Sequence, residues 1–192
     1  MNKDTNQIMA NINAYIMDGL GNNFLIIDRR KDFLKINKDK IINLANKKDI
    51  SFDQLITLEK VEESIYPIKI FNSDGIETTA CGNGVRCIAY LISQEKKQKK
   101  IQIKTKERSL NAEIIGKQNV KINMGKPKFS WEEIPLSESV DTKQITFNLI
   151  DKKHGYGFCL NVGNPHIVFF VEDCFKIDIK ELGPKIENYK LF

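Results

Sequence analysis

The sequence predicts an α+β protein, and three features of it say so. Runs such as Phe24 to Asp28 and Tyr66 to Phe71 are short, rich in Ile, Leu and Phe, and bounded by Gly, Asn, Asp and Ser, as strands are. Helical spacing is rarer and clearest after Cys81, where apolar residues fall at Val85, Ile88, Ala89 and Ile92. The stretch from Gly125 to Asp141 carries Pro127, Pro135 and several serines, and reads as a linker between two parts.

In chain order, residues 1–13 read as a flexible leader, polar and without the apolar core of a signal peptide. Strands follow at Ala14 to Met17 and Phe24 to Asp28, joined by the Gly- and Asn-rich turn Asp18 to Asn23. Ile41, Ile42, Leu44 and Ala45 place a helix over Lys38 to Lys47. Gln54 to Glu59 and Tyr66 to Phe71 are strands, and the Cys81 helix runs to about Glu95. Its low charge between Val85 and Ile92 suits a buried helix, since a surface helix carries a polar face.

Further strands are expected at Ile101 to Lys104, Leu110 to Ile115, Val120 to Met124, Ile145 to Ile150, Phe158 to Val162 and His166 to Val171. A last helix-like stretch, Asp178 to Asn188, contains Gly183-Pro184, which works against it. Met124-Gly125-Lys126-Pro127 and Val162-Gly163-Asn164-Pro165 echo each other faintly, both ending a strand in x-Gly-x-Pro.

A chain of 192 residues can bury a sizeable core. It has no apolar run of membrane-spanning length, so no membrane partner is expected. The net charge of +5 is carried mostly by lysine, and the cluster Lys96-Lys97-Gln98-Lys99-Lys100 lacks interleaved aromatics and arginines. Lysines at a helix C-terminus complement its dipole, so nucleic acid is not an expected partner either. The cysteines at 81, 87, 159 and 174 form no C-x-x-C pair, which argues against structural zinc; a reduced, cytoplasmic chain is the reading.

Cys81 stands immediately before Gly82-Asn83-Gly84 at the start of a helix. There the dipole and unpaired N–H groups favour negative charge, which is expected to lower the thiol pKa and free a thiolate as base or nucleophile. The same N–H groups, uncovered at Gly82 and Gly84, can hold a carboxylate. Cys87, Cys159 and Cys174 read as small core residues. Asn22, Asn72 and Asn164 sit in turns, where asparagine is common for local reasons. Gln54 begins a strand, His166 opens an apolar strand and reads as a core histidine, His154 reads as a loop residue, and Arg86 reads as a brace.

Taken together these segments resemble the diaminopimelate epimerase family. Gly19-Leu20-Gly21-Asn22-Asn23-Phe24 is similar to its opening turn, and Phe52-Asp53-Gln54-Leu55 to its glutamine segment. Phe71-Asn72-Ser73-Asp74-Gly75, with Cys81-Gly82-Asn83-Gly84-Val85-Arg86-Cys87, is similar to its first catalytic block. Asn123-Met124-Gly125-Lys126-Pro127, Gly163-Asn164-Pro165-His166 and Leu182-Gly183-Pro184 follow in the family's order. The likeness runs from about Tyr15 to the last residue.

The resemblance implies two pseudo-symmetric lobes, each a mixed sheet wrapped around a central helix, at 14–125 and 126–192, with the second lobe incomplete. It implies epimerisation of LL-2,6-diaminopimelate to the meso form, for lysine and peptidoglycan precursors, by two cysteines and without metal or other cofactor. Cys81 would be one thiol. Asn22, Gln54, Asn72, Gly82, Asn83 and Asn164 would bind the substrate, and His166 would tune the cysteines. The partners implied are the small-molecule substrate and a possible second copy in a homodimer.

The chain departs from the family at Asp18, where His is common, at Asn23, where Asp is usual, and at Lys48-Asp49-Ile50-Ser51, where Gly-Ile-Gly is typical. It also reaches Phe192 without a second Ala-Cys-Gly-x-Gly helix start, and neither Cys159 nor Cys174 has that context. The expectation is a chain that ends inside the second lobe and does not racemise efficiently alone. The alternatives are an inactive amino-acid-binding remnant, or a racemase or isomerase of the same fold acting on another amino acid.

Overall fold

The computed structural model describes residues 13–31, 34–79, 81–147 and 156–192. Two compact units are present, one ending at Asn123 and one beginning at Met124. The expected leader lies outside the described residues except for Asn13, whose carbonyl accepts from the Asp28 N–H at 2.9 Å.

The first unit opens with an antiparallel hairpin, β1 (Ala14–Gly19) and β2 (Asn22–Asp28). Its two-residue turn puts Leu20 at φ 56° and Gly21 at φ 87°, the left-handed pair that matches strand twist. Asp18, one of the family departures, supports this turn: its Oδ1 accepts from the Gly21 N–H at 3.4 Å. A helix, α1 (Lys38–Ala45), is capped by Asn37, whose side chain accepts from the Lys40 N–H. β3 (Gln54–Leu58), β4 (Ile65–Asn72), the short β5 (Glu77–Thr78), α2 (Gly82–Lys96), β6 (Lys100–Lys104), β7 (Ser109–Gly116) and β8 (Asn119–Asn123) complete the unit.

These strands form one sheet in the order β1-β2-β3-β4-β6-β7-β8, with β5 paired to β4. β2 and β3 run parallel, as do β4 and β6. α2 packs against β1 and β2 at one end of that order and against β6, β7 and β8 at the other. A flat sheet cannot place both ends on one helix, so the sheet curls around α2.

Burial follows from that curl. Phe24, Ile26 and Ile56 have no exposed surface, and neither do Val85, Ile88, Ala89 and Ile92 of α2. On the other side of the same strands, Leu25, Ile27 and Leu55 form a second core with Ile41 and Phe52. Covered on both faces, β2 and β3 are continuous apolar runs rather than alternating ones.

The second unit holds β9 (Gly157–Asn161) paired antiparallel with β10 (Pro165–Phe169), and α3 (Ile179–Glu187). Its core gathers Ile134, Leu136, Ile145, Phe147, Cys159, Ile186 and Leu191. Phe147 is its aromatic centre, with ring centroids 5.1 Å from Tyr189 and 5.9 Å from Phe169.

Three expectations need correcting here. The stretch Gly125 to Asp141 is no open linker, because Ile134 and Leu136 are buried and Trp131 packs beside them. The strand expected over Ile145 to Ile150 is represented by a single bridge from Ile145 to Gly157, and residues 148–150 lie outside the described residues. The helix expected over Asp178 to Asn188 does form, with Pro184 inside it: only one N–H is lost, and Asp178 caps the start through the N–H groups of Lys180 and Glu181. Cys174 is not core but exposed, in a one-turn 3-10 helix. Cys87 and Cys159 are buried, as expected of small core residues.

The two x-Gly-x-Pro turns are neighbours in this unit. Lys128 and Asn161 exchange backbone hydrogen bonds of 2.9 Å in both directions. Gly125 and Gly163 adopt φ of 80° and 121°, so the faint echo in the sequence has a shared backbone shape.

Candidate active site

Cys81 is the residue before the first turn of α2 and serves as its cap. Its backbone is extended (φ −152°, ψ 97°), and its Sγ accepts from the Gly84 N–H at 3.3 Å. Gly84 must lack a side chain: an added Cβ would come within 2.6 Å of Ile56 Cδ1 and 3.2 Å of Phe24 Cε1. The helix start therefore lies directly on the floor of β2 and β3.

The thiol does not follow the expected direction. Burial pushes Cys81 above the ordinary thiol range; N–H groups of Gly84 and Asn83 and the Arg86 charge pull it back, but not far enough. The helix start stabilises a thiolate, yet the surrounding protein removes more water than those N–H groups replace.

Strand register assembles the rest. β2 and β3 place Phe24 beside Gln54, and β3 and β4 place Gln54 opposite Asn72. Gln54 Nε2 donates to Asn72 Oδ1 at 3.0 Å. Asn22, at the start of β2, accepts through Oδ1 from Asn83 Nδ2 at 2.8 Å, which ties the hairpin to the first turn of α2. Asn22, Gln54, Asn72, Cys81, Gly82 and Asn83 thus meet at one end of the first unit's sheet.

Two residues there were not assigned a site role from sequence. Asp53 Oδ2 accepts from the Asn23 N–H at 2.9 Å and from Asn22 Nδ2 at 3.4 Å. Arg86 donates through Nη2 to Asn83 Oδ1. The available signals were a carboxylate directly before Gln54 and a cation three residues after Asn83, one helical turn away.

Asn164 and His166 belong to the second unit. Both are exposed, Asn164 in the turn between β9 and β10 and His166 as the second residue of β10, and His166 Nδ1 lies 2.9 Å from the Asn164 carbonyl oxygen. His166 also edges an apolar groove of about 770 Å³ lined by Val168, Phe175, Ile179 and Phe192 among others. Apart from His166 and Glu187 that lining is largely apolar and poorly suited to a zwitterion, so the amide-rich end of the first unit is the better candidate for chemistry. Among the described residues no His, Cys, Asp or Glu cluster has the makings of a metal site, and no helix is long and apolar enough to cross a membrane.

A mixed sheet curled around a helix whose N-terminus is capped by a cysteine defines a protein of the epimerase fold. Solved structures agree at the level of fold. A hydroxyproline epimerase from Agrobacterium vitis matches with TM-score 0.54 and 11% identity, over 90% of this chain and 53% of that one. A protein from Pseudomonas aeruginosa described as a predicted epimerase gives TM-score 0.54 and 13% identity, over 88% and 62%.

The sequence profile described as diaminopimelate epimerase matches residues 14–130. A diaminopimelate epimerase of Pelagibacter ubique (strain HTCC1062) is 46% identical over 184 residues, covering 94% of this chain and 67% of that protein. One from Acidiphilium cryptum (strain JF-5) is 36% identical over 177 residues, covering 92% and 63%. The chain belongs to the diaminopimelate epimerase family, and spans about two thirds of the length of these relatives.

Proposed function

We propose that the chain acts in epimerising LL-2,6-diaminopimelate to the meso form, in the cytoplasm, with Cys81 as one of two acid/base thiols. The observation that carries this reading is the half-buried Cys81 thiol capping α2, whose first turn is tied through Asn83 to Asn22 at the start of β2, where β3 begins with the Gln54–Asn72 amide pair. A substrate α-carboxylate suits the N–H groups of Gly82 and Asn83, and the side-chain amides suit the polar groups that keep one stereocentre in place.

In the reaction a thiolate takes the α-proton, breaking the C–H bond, and the electron pair passes onto the carboxylate as an enediolate. A thiol on the opposite face returns a proton to the carbon and is left as thiolate. Helix N–H groups aimed at the carboxylate stabilise the charge that develops there. Cys81 serves as base in one direction of the reaction and as acid in the other. Asn164 is assigned to the substrate and His166 to tuning the thiols, on the strength of their place in the family's Gly-x-Pro turn.

Cys159 is buried in the second unit's core and Cys174 lies in a 3-10 turn. Neither caps a glycine-rich helix start, so Cys81 is the thiol assigned to the chemistry; the second reading is binding of the amino acid without turnover. Proton NMR of LL-diaminopimelate with the chain in D2O separates the two. Loss of signal at one α-carbon, abolished by Cys81→Ser, is the expected result. Calorimetric binding with no exchange supports the binding module, and neither binding nor exchange would sink both.

A further inference from the structure

Four side chains running from the first turn of α2 to the entry of β3 form a single hydrogen-bonded row whose direction is set by its ends. Arg86 donates to Asn83 Oδ1. Asn83 Nδ2 donates to Asn22 Oδ1 at 2.8 Å, and Asn22 Nδ2 donates to Asp53 Oδ2 at 3.4 Å. The same carboxylate oxygen takes the Asn23 N–H at 2.9 Å. A guanidinium can only donate and an ionised carboxylate can only accept.

Each amide therefore has one workable orientation. Asn83 turned over would set its NH2 against the guanidinium and its oxygen against Asn22 Oδ1. Asn22 turned over would set its oxygen against the Asp53 carboxylate and its NH2 against that of Asn83. Either flip breaks two contacts at once. The row joins β2, the entry to β3 and the first turn of α2, and its cationic end lies on the helix.

We infer that Arg86 and Asp53 are positioning residues that hold the Asn83 and Asn22 amides in one orientation, and so decide which groups those amides offer a substrate carboxylate. This rests on the diaminopimelate-binding reading above. Asp53 touches Asn22 but acts on Asn83 through it; Arg86 touches Asn83 but acts on Asn22 through it.

The test is side-chain amide ¹H–¹⁵N spectroscopy on the whole chain. Asp53→Ala should shift the Asn83 amide pair, and Arg86→Met the Asn22 pair, although neither variant removes a direct contact of the amide observed. Asp53→Asn, which keeps an accepting oxygen, and Arg86→Lys, which keeps a donor, should return both pairs close to wild-type positions. Should Asp53→Ala not fold, Asp53→Glu moves the carboxylate by one methylene and reads the same coupling. Shifts confined to the directly contacted amide overturn the inference.

Calorimetry with meso-diaminopimelate supplies the functional readout. Asp53→Ala and Arg86→Met should each weaken binding about tenfold, as loss of a well-placed polar group does, and the conservative variants by much less. If wild type does not bind, the substrate reading fails while the amide shifts still judge the row. If wild type binds and the shifted variants bind equally well, positioning is overturned.

Discussion

Gln54 and Asn72 stand opposite each other across β3 and β4, and Gln54 Nε2 donates to Asn72 Oδ1 at 3.0 Å. Both side chains are half-buried, so each amide orients the other before any substrate arrives. Gln54→Ala should cost about 1 kcal/mol in urea unfolding and weaken diaminopimelate binding about tenfold. Unchanged affinity in both Gln54→Ala and Asn72→Ala would make the pair purely structural.

Cys81 has two separable duties. As a cap it accepts from the Gly84 N–H, a task serine performs better than a thiol does. Cys81→Ser should keep or raise the thermal midpoint, and Cys81→Ala should lower stability by about 1 kcal/mol. Both should abolish α-proton exchange. Exchange at the wild-type rate in Cys81→Ser would remove Cys81 from the chemistry.

Burial holds the Cys81 thiol up and the Arg86 charge pulls it down. Iodoacetamide at pH 7.5 should modify exposed Cys174 well before Cys81, and the Cys81 rate should climb as pH rises. Arg86→Met should slow Cys81 several-fold by raising its thiol further. Peptide mapping of the alkylated chain reads each site, and a faster Cys81 in Arg86→Met would contradict this account of the electrostatics.

Burial also pushes the Cys87 and Cys159 thiols up to about 11. Their folded pKa lies above that of an unfolded cysteine, about 8.5, so the native state keeps protons that the unfolded chain releases. The stability this confers is complete below about pH 8.5 and is lost as pH rises through about 11. Denaturant midpoints should fall across that window, and less steeply in Cys159→Val. An equal fall in Cys159→Val would assign the effect to other groups.

Much of the site was legible because it depends on short-range sequence. Cys81 before Gly-Asn-Gly marks a capped helix start, and the apolar residues at 85, 88, 89 and 92 mark its buried side. Asn22, Gln54 and Asn72 stood out through the family's motifs, and their strands fell close to the expected places. What failed was local inference about environment. Gly125 to Asp141 has a linker's proline and serine, but Ile134 and Leu136 find a core there.

The strand segments along the chain, the cysteine that caps α2 and the family's motifs are written in residues a few positions apart, since turn chemistry and helical period are local. The state of the Cys81 thiol and the row from Arg86 to Asp53 are not. Desolvation depends on what the curled sheet brings over the helix start. The row needs residues 22, 53, 83 and 86, whose side chains meet only after three separate elements have packed.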